Sequence, residues 1–170
     1  MTQFHSNMQT GQTKKYTTLA MLIASAAVLQ LLESPLPRFF PWLKPGLANV
    51  LTLYAIIKYS VKAGIFTAAA RSVLASFIAG TFLSPVFYLS FTGAVSSAII
   101  MGILSKISKN INIISITGAL TNNFAQLALV QILFAENASL WLYIAAMIWV
   151  SIPAGFVIAK ITNELLRRTS

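Results

Sequence analysis

Arg71 is the residue whose type and position most demand a partner. It stands near the middle of an apolar stretch, within Ala68-Ala69-Ala70-Arg71-Ser72. A charge at mid-bilayer costs about 2.5–3.5 kcal/mol on insertion scales, so such a residue faces a cavity or an opposite charge. Two chemistries follow. Arg71 is a cationic anchor for an anionic or strongly polar ligand, or a structural pair with Glu33 or with helix-end carbonyls. A second polar group lies in another apolar stretch: Asn122, Asn123 and Gln126. Spacings of three and four put them towards one helical face. Amides at that depth need hydrogen-bond partners. They form the polar wall of a pocket, or they tie neighbouring helices together.

The third polar group borders a proline-rich stretch, Glu33-Ser34-Pro35-Leu36-Pro37-Arg38-Phe39-Phe40-Pro41-Trp42-Leu43-Lys44-Pro45-Gly46. Its prolines keep it from being a helix, and its Phe and Trp suit a membrane interface. It reads as a rigid lid over a pocket, carrying Glu33, Arg38 and Lys44 and followed by Asn49, or as an interfacial anchor. Small residues recur at helical spacing: Ala20 and Ala24, then Ala75, Ala79 and Gly80. Such faces let helices pack closely within one chain or dock another membrane subunit.

Several chemistries are excluded by composition. The chain has no Cys and no Asp, and its three acids, Glu33, Glu136 and Glu164, are scattered. A Ser-His-Asp triad is therefore impossible, and carboxylates to gather around magnesium are few. The single histidine, His5, stands alone near the start of the chain and makes a poor metal site. No Gly-rich loop ending in Lys-Ser or Lys-Thr is present, so nucleotide hydrolysis has no cradle. No enzymatic activity, cofactor or metal is expected.

These residues sit in an unusual frame. Of the 170 residues, 57% are apolar and 9% charged, with a net charge of +9. A soluble domain carries roughly 25% charged residues, so the chain reads as an integral membrane protein. Apolar segments run from about Thr17 to Leu32, Leu47 to Tyr59, Ala63 to Leu83, Pro85 to Leu104, Ile111 to Phe134 and Leu140 to Ala159. The second is short for a span. Residues 1–13 read as a mobile polar tail, and 14–170 as one six-helix membrane domain with short loops. Six spans place both termini on one side. That side carries nine of the basic residues and the other only Arg38 and Lys44, which puts both termini in the cytoplasm. The positive charges come in ones and twos, so they follow orientation and do not mark a nucleic-acid partner.

Several blocks in order resemble a known family. They are Glu33-Ser34 with its prolines, Lys44 to Asn49, Arg71-Ser72-Val73-Leu74, Gly80 to Ser84, Leu89 to Gly93, Ser97 to Met101, and Gly118 to Gln126. Together they resemble the Gx transporter family, also catalogued as heptaprenyl diphosphate synthase component I. Where that family usually has a histidine, this chain has Asn122. The resemblance implies a bacterial cytoplasmic-membrane protein similar to the substrate-binding S components of energy-coupling-factor transporters. Such subunits are six-helix bundles that take a small molecule from outside. A scaffold membrane protein with two cytoplasmic ATPases powers them, and Ala20 and Ala24 would be the face that meets the scaffold. On this reading Arg71 holds an anionic group, Asn122, Asn123 and Gln126 supply neutral hydrogen bonds, and Asn49 and Glu33 close the top. The family's other name implies a non-catalytic membrane accessory subunit of heptaprenyl diphosphate synthase, in isoprenoid or quinone synthesis.

Overall fold

The computed structural model describes residues 2–33, 46–134 and 140–169, and every regular element among them is helical. The helices are α1 Thr2–Glu33, α2 Asn49–Lys58, α3 Val61–Ile78, α4 Pro85–Ile107, α5 Ile111–Phe134 and α6 Leu140–Thr169. Five of them contain a stretch long and apolar enough to cross a membrane, so this is an all-α, multi-pass membrane protein. The expected sixth span is different. α2 has 10 residues, which at 1.5 Å per residue reach about 15 Å, half of a hydrocarbon core of about 30 Å. At the other extreme, α1 runs back to Thr2, through the segment read as a tail. No proline interrupts that segment, and a helix already formed at its C-terminal end extends at little further cost.

Local chemistry sets the helix ends. Ser60 caps α3 by accepting from the Ala63 amide at 3.1 Å, and Ser84 caps α4, with Pro85 in the first turn where its missing N–H costs nothing. The third segment stops at Ile78, short of the Leu83 read from hydropathy. Gly80 there has a positive φ of 66°. The Gly80 amide donates to Phe77 and the Thr81 amide to Ser76, the two bonds of a Schellman C-cap. Leu83, also at positive φ, completes the tight turn into α4.

Although it is the shortest, α2 is the most enclosed helix: Asn49 through Ile56 are all buried. Val50, Leu53 and Ile56 pack with Met101 of α4, Ile114 of α5 and Ile158 of α6. Its N-terminal end lies against the end of α1, where the Ala48 amide donates to Glu33 Oε1 at 2.9 Å. Its C-terminal end meets the end of α6, where Lys58 Nζ donates to the Thr169 carbonyl at 2.8 Å. Large apolar side chains such as Phe66, Ile103, Ile132 and Trp149 point outward. The interior is rich in Ala, Ser and Thr, including Ala68, Ala94, Ala98, Ser97 and Thr162. That inversion is the packing expected of helices in lipid, where small residues allow close approach.

α5 and α6 approach each other closely. The Ser115 hydroxyl donates to the Gly155 carbonyl at 2.7 Å, two residues beyond Pro153 in α6. A Cβ added at Gly155 would lie 2.6 Å from Ile116 Cα, and that backbone cannot step aside without separating the helices. Overpacking of this kind costs typically about 1–3 kcal/mol. Gly155→Val is therefore expected to lower the melting temperature of the detergent-solubilised protein by about 2–12 °C. A melting temperature equal to the wild type would contradict the close packing.

Candidate functional site

Arg71 lies ten residues into α3, in the middle of the bundle, and is 4% exposed. Its guanidinium joins three helices. Nη1 donates to Gln30 Oε1 of α1 at 2.7 Å, and Nη2 donates to Asn49 Oδ1 of α2 at 2.6 Å. Nε is buried with no hydrogen-bond partner among the described residues. The planar fork explains why an arginine can serve here: two separated amide oxygens are met without bending the side chain.

Glu33, the last residue of α1, is also 4% exposed and lies within electrostatic reach of Arg71. Its carboxylate accepts from Ala48, the residue that precedes α2 and has no side-chain cap of its own. An acid fifteen positions earlier thus does what an N-cap side chain usually does, at the positive end of the helix dipole.

These groups line a small cavity of about 20 Å³, walled by Gln30, Glu33, Gly46, Asn49, Arg71, Ser90, Ala94, Asn122 and Gln126. That volume holds one water-sized group. Next to it is a second cavity of about 50 Å³, walled by Leu31, Ala75, Ser76, Ala79, Thr81, Val86 and Phe87, and sharing Gln30 and Ser90 with the first. Phe87 belongs to an aromatic cluster at the α3–α4 turn, where Phe77 and Phe82 stack at 4.0 Å and Phe82 and Phe87 lie 5.1 Å apart. The tract changes from polar at Arg71 to small and aromatic near that turn.

Asn122 and Gln126 reach this cavity because α4 carries Gly93 opposite them. A Cβ there would lie 2.8 Å from Asn122 Oδ1, 2.9 Å from the Asn122 carbonyl and 2.9 Å from Gln126 Nε2. Asn123 goes elsewhere. Its Nδ2 donates to Ser151 Oγ of α6 at 2.8 Å, as expected of a residue one position, about 100° of helix, round from Asn122. The three amides read as one face are therefore divided, two to the cavity and one to the α5–α6 seam.

Five of the residues singled out in the sequence, Glu33, Asn49, Arg71, Asn122 and Gln126, meet at one cavity. Arg38 and Lys44 lie outside the described residues. Ala20 and Ala24 are exposed, on a stripe that continues through Val28 and Leu32 at spacings of four, so they do not pack inside this chain. Gln30, Ser90 and Gly93 also belong to the site; Ser90 and Gly93 fall in the Leu89 to Gly93 block, to which no binding role was assigned from sequence. Gln30 had a visible signal, a lone amide in an apolar stretch one helical turn before Glu33. Among the described residues no group of histidines and acids could hold a metal ion.

Comparison with known proteins gives one finding. No curated protein and no solved structure matches the chain. Residues 22–165, which include every described residue of the cavity, match the family model described as heptaprenyl diphosphate synthase component I, and the chain belongs to that family.

Proposed function

We propose that the protein is the membrane substrate-binding subunit of an energy-coupling-factor-type uptake transporter, taking a small polar molecule from the outer side. The observation that supports this most is the buried polar cavity around Arg71, in mid-bundle, in a chain with no nucleotide cradle and no catalytic set. Membrane transporters commonly place substrate at mid-bilayer, next to the N-terminus of a helix that does not cross fully. α2 is such a helix, and its N-terminal end lies at this cavity.

On this reading α2 takes the place of the sixth passage, and both termini lie in the cytoplasm. The basic residues Lys58, Lys62, Lys106, Lys109, Lys160, Arg167 and Arg168 then occupy the inner ends of the helices, as the positive-inside rule requires. α1 is the least buried of the five long helices, and Gln30 and Glu33 are two of its polar ties to the rest of the bundle. A substrate enters when α1 gives way there, exchanging its own hydrogen bonds for those to Arg71. The exposed Ala20–Ala24 stripe is the face for a scaffold membrane protein with cytoplasmic ATPases.

The family description favours a second reading, a non-catalytic membrane partner of a prenyl diphosphate synthase. Purification from the native membrane in mild detergent, with protein identification of what comes along, separates the two. The transport reading predicts a membrane scaffold with ATPase subunits. Recovery of a soluble prenyl synthase alone, whose activity the protein raises, would overturn it.

A further inference from the structure

Among the described residues the cavity wall is electrically balanced, and this narrows what it can hold. The inference rests on the small-molecule reading above and concerns the charge of the substrate. Among the described lining residues, Arg71 carries the only positive charge and Glu33 the only negative one. Arg71 and the N-terminal end of α2 are both centres that attract an anion. Here an anion is already in place: the Glu33 carboxylate accepts from the Ala48 amide and lies within electrostatic reach of the guanidinium. A second negative charge brought in by a ligand meets that carboxylate in a buried site, where repulsion is poorly screened.

We propose that the site takes a ligand of no net charge, either a zwitterion or an uncharged molecule rich in hydrogen-bonding groups, and not a simple anion. A zwitterion presents its anionic end to Arg71 and its cationic end to Glu33. An uncharged molecule uses the four amides Gln30, Asn49, Asn122 and Gln126, which offer donors and acceptors in equal variety. In either case Arg71 Nε, a buried donor with no partner among the described residues, receives an acceptor from the ligand.

The test reads the charge of the cavity directly, with chloride as the probe. Full-length protein in detergent is melted in chloride from 1 to 100 mM at constant ionic strength, with gluconate as the replacing anion. Glu33→Gln keeps an oxygen for the Ala48 amide but removes the internal anion. Its melting temperature is expected to rise by about 3–5 °C across the titration, as for a ligand taken to roughly tenfold above its dissociation constant. The wild type is expected to shift by less than about 1 °C, and Glu33→Gln combined with Arg71→Gln to behave like the wild type. The surface lysines and arginines are common to all three proteins, so their chloride binding cancels.

A wild-type shift as large as that of Glu33→Gln overturns the inference. No response in Glu33→Gln, or an equal response in the double variant, overturns it as well. If Glu33→Gln does not give a monodisperse protein, the wild-type titration decides alone: no shift supports neutrality and a shift refutes it. Failure of this test leaves the binding reading standing with an anionic substrate. The expected chloride behaviour in a protein that carries no small molecule removes the binding reading instead.

Discussion

An Arg71→Ala variant is expected to insert into the membrane and to lose ligand binding by at least about tenfold. Insertion does not depend on the guanidinium, since the apolar spans drive it and a charge at that depth opposes it. Binding does depend on it. Hydrogen bonds to a charged group are each worth about 1.5–3 kcal/mol, or roughly 10–150-fold in affinity. The variant also removes the donor for Gln30 Oε1 and Asn49 Oδ1 and takes a positive charge from within electrostatic reach of Glu33. Leaving buried hydrogen-bonding groups without their partner costs about 1–3 kcal/mol, so a lower melting temperature is expected too. Arg71→Lys separates the effects. It restores the charge but not the fork, and should recover stability more fully than binding. Insertion is checked by membrane fractionation, and binding by the amount of small molecule that co-purifies per mole of protein. Full ligand occupancy in Arg71→Ala would show that Arg71 is structural.

Gly93→Val should be nearly as damaging for a different reason. The Cβ alone would lie 2.8 Å from Asn122 Oδ1 and 2.9 Å from the Asn122 carbonyl. The first contact is relieved by turning an amide, but the second is backbone and is relieved only by moving α4 from α5. Both Asn122 and Gln126 are then displaced from the cavity. Overpacking costs about 1–3 kcal/mol, read as a fall of roughly 2–12 °C in melting temperature. Ligand should be lost together with it. Asn122→Ala, which removes an amide and adds no bulk, should weaken binding with a smaller loss of stability. If Gly93→Val keeps both its ligand and its melting temperature, the α4–α5 seam does not form this wall.

Much of the architecture was legible because bilayer chemistry writes itself into hydropathy. The spans from Pro85 and from Ile111 begin where the sequence places them, since Ser84-Pro85 and the polar Lys109-Asn110 mark real boundaries. The third span ended early because Gly80 and the Leu83 turn act through backbone conformation, which a hydropathy window does not register. α2 falls within the short apolar segment read from Leu47 to Tyr59: Asn49–Lys58 are helical, too few residues to cross a bilayer unaided.

The site was legible wherever a residue was costly to bury. Arg71, Glu33, Asn122 and Gln126 announce themselves in an apolar chain, and they converge on one cavity. What stayed hidden was direction. Asn123 shares a helix with Gln126, but which of them faces α4 and which faces α6 depends on how α5 is rotated in the bundle, and the Ser151 bond settles that. Gly93 and Ser90 matter for the space they leave and the wall they share, and neither property shows in a residue's chemistry. The role of Glu33 was hidden as well: read as the top of a lid, it caps α2 through the Ala48 amide and lies within electrostatic reach of Arg71.

The central claim is that the cavity around Arg71 holds a small molecule. Native mass spectrometry of the wild type and of Arg71→Ala, both purified in mild detergent from the native host, tests it most directly. The account predicts a defined small-molecule adduct on the wild type that is lost from the variant. Equal occupancy of the same molecule in both, or a wild type that carries a prenyl synthase and no small molecule, would contradict it.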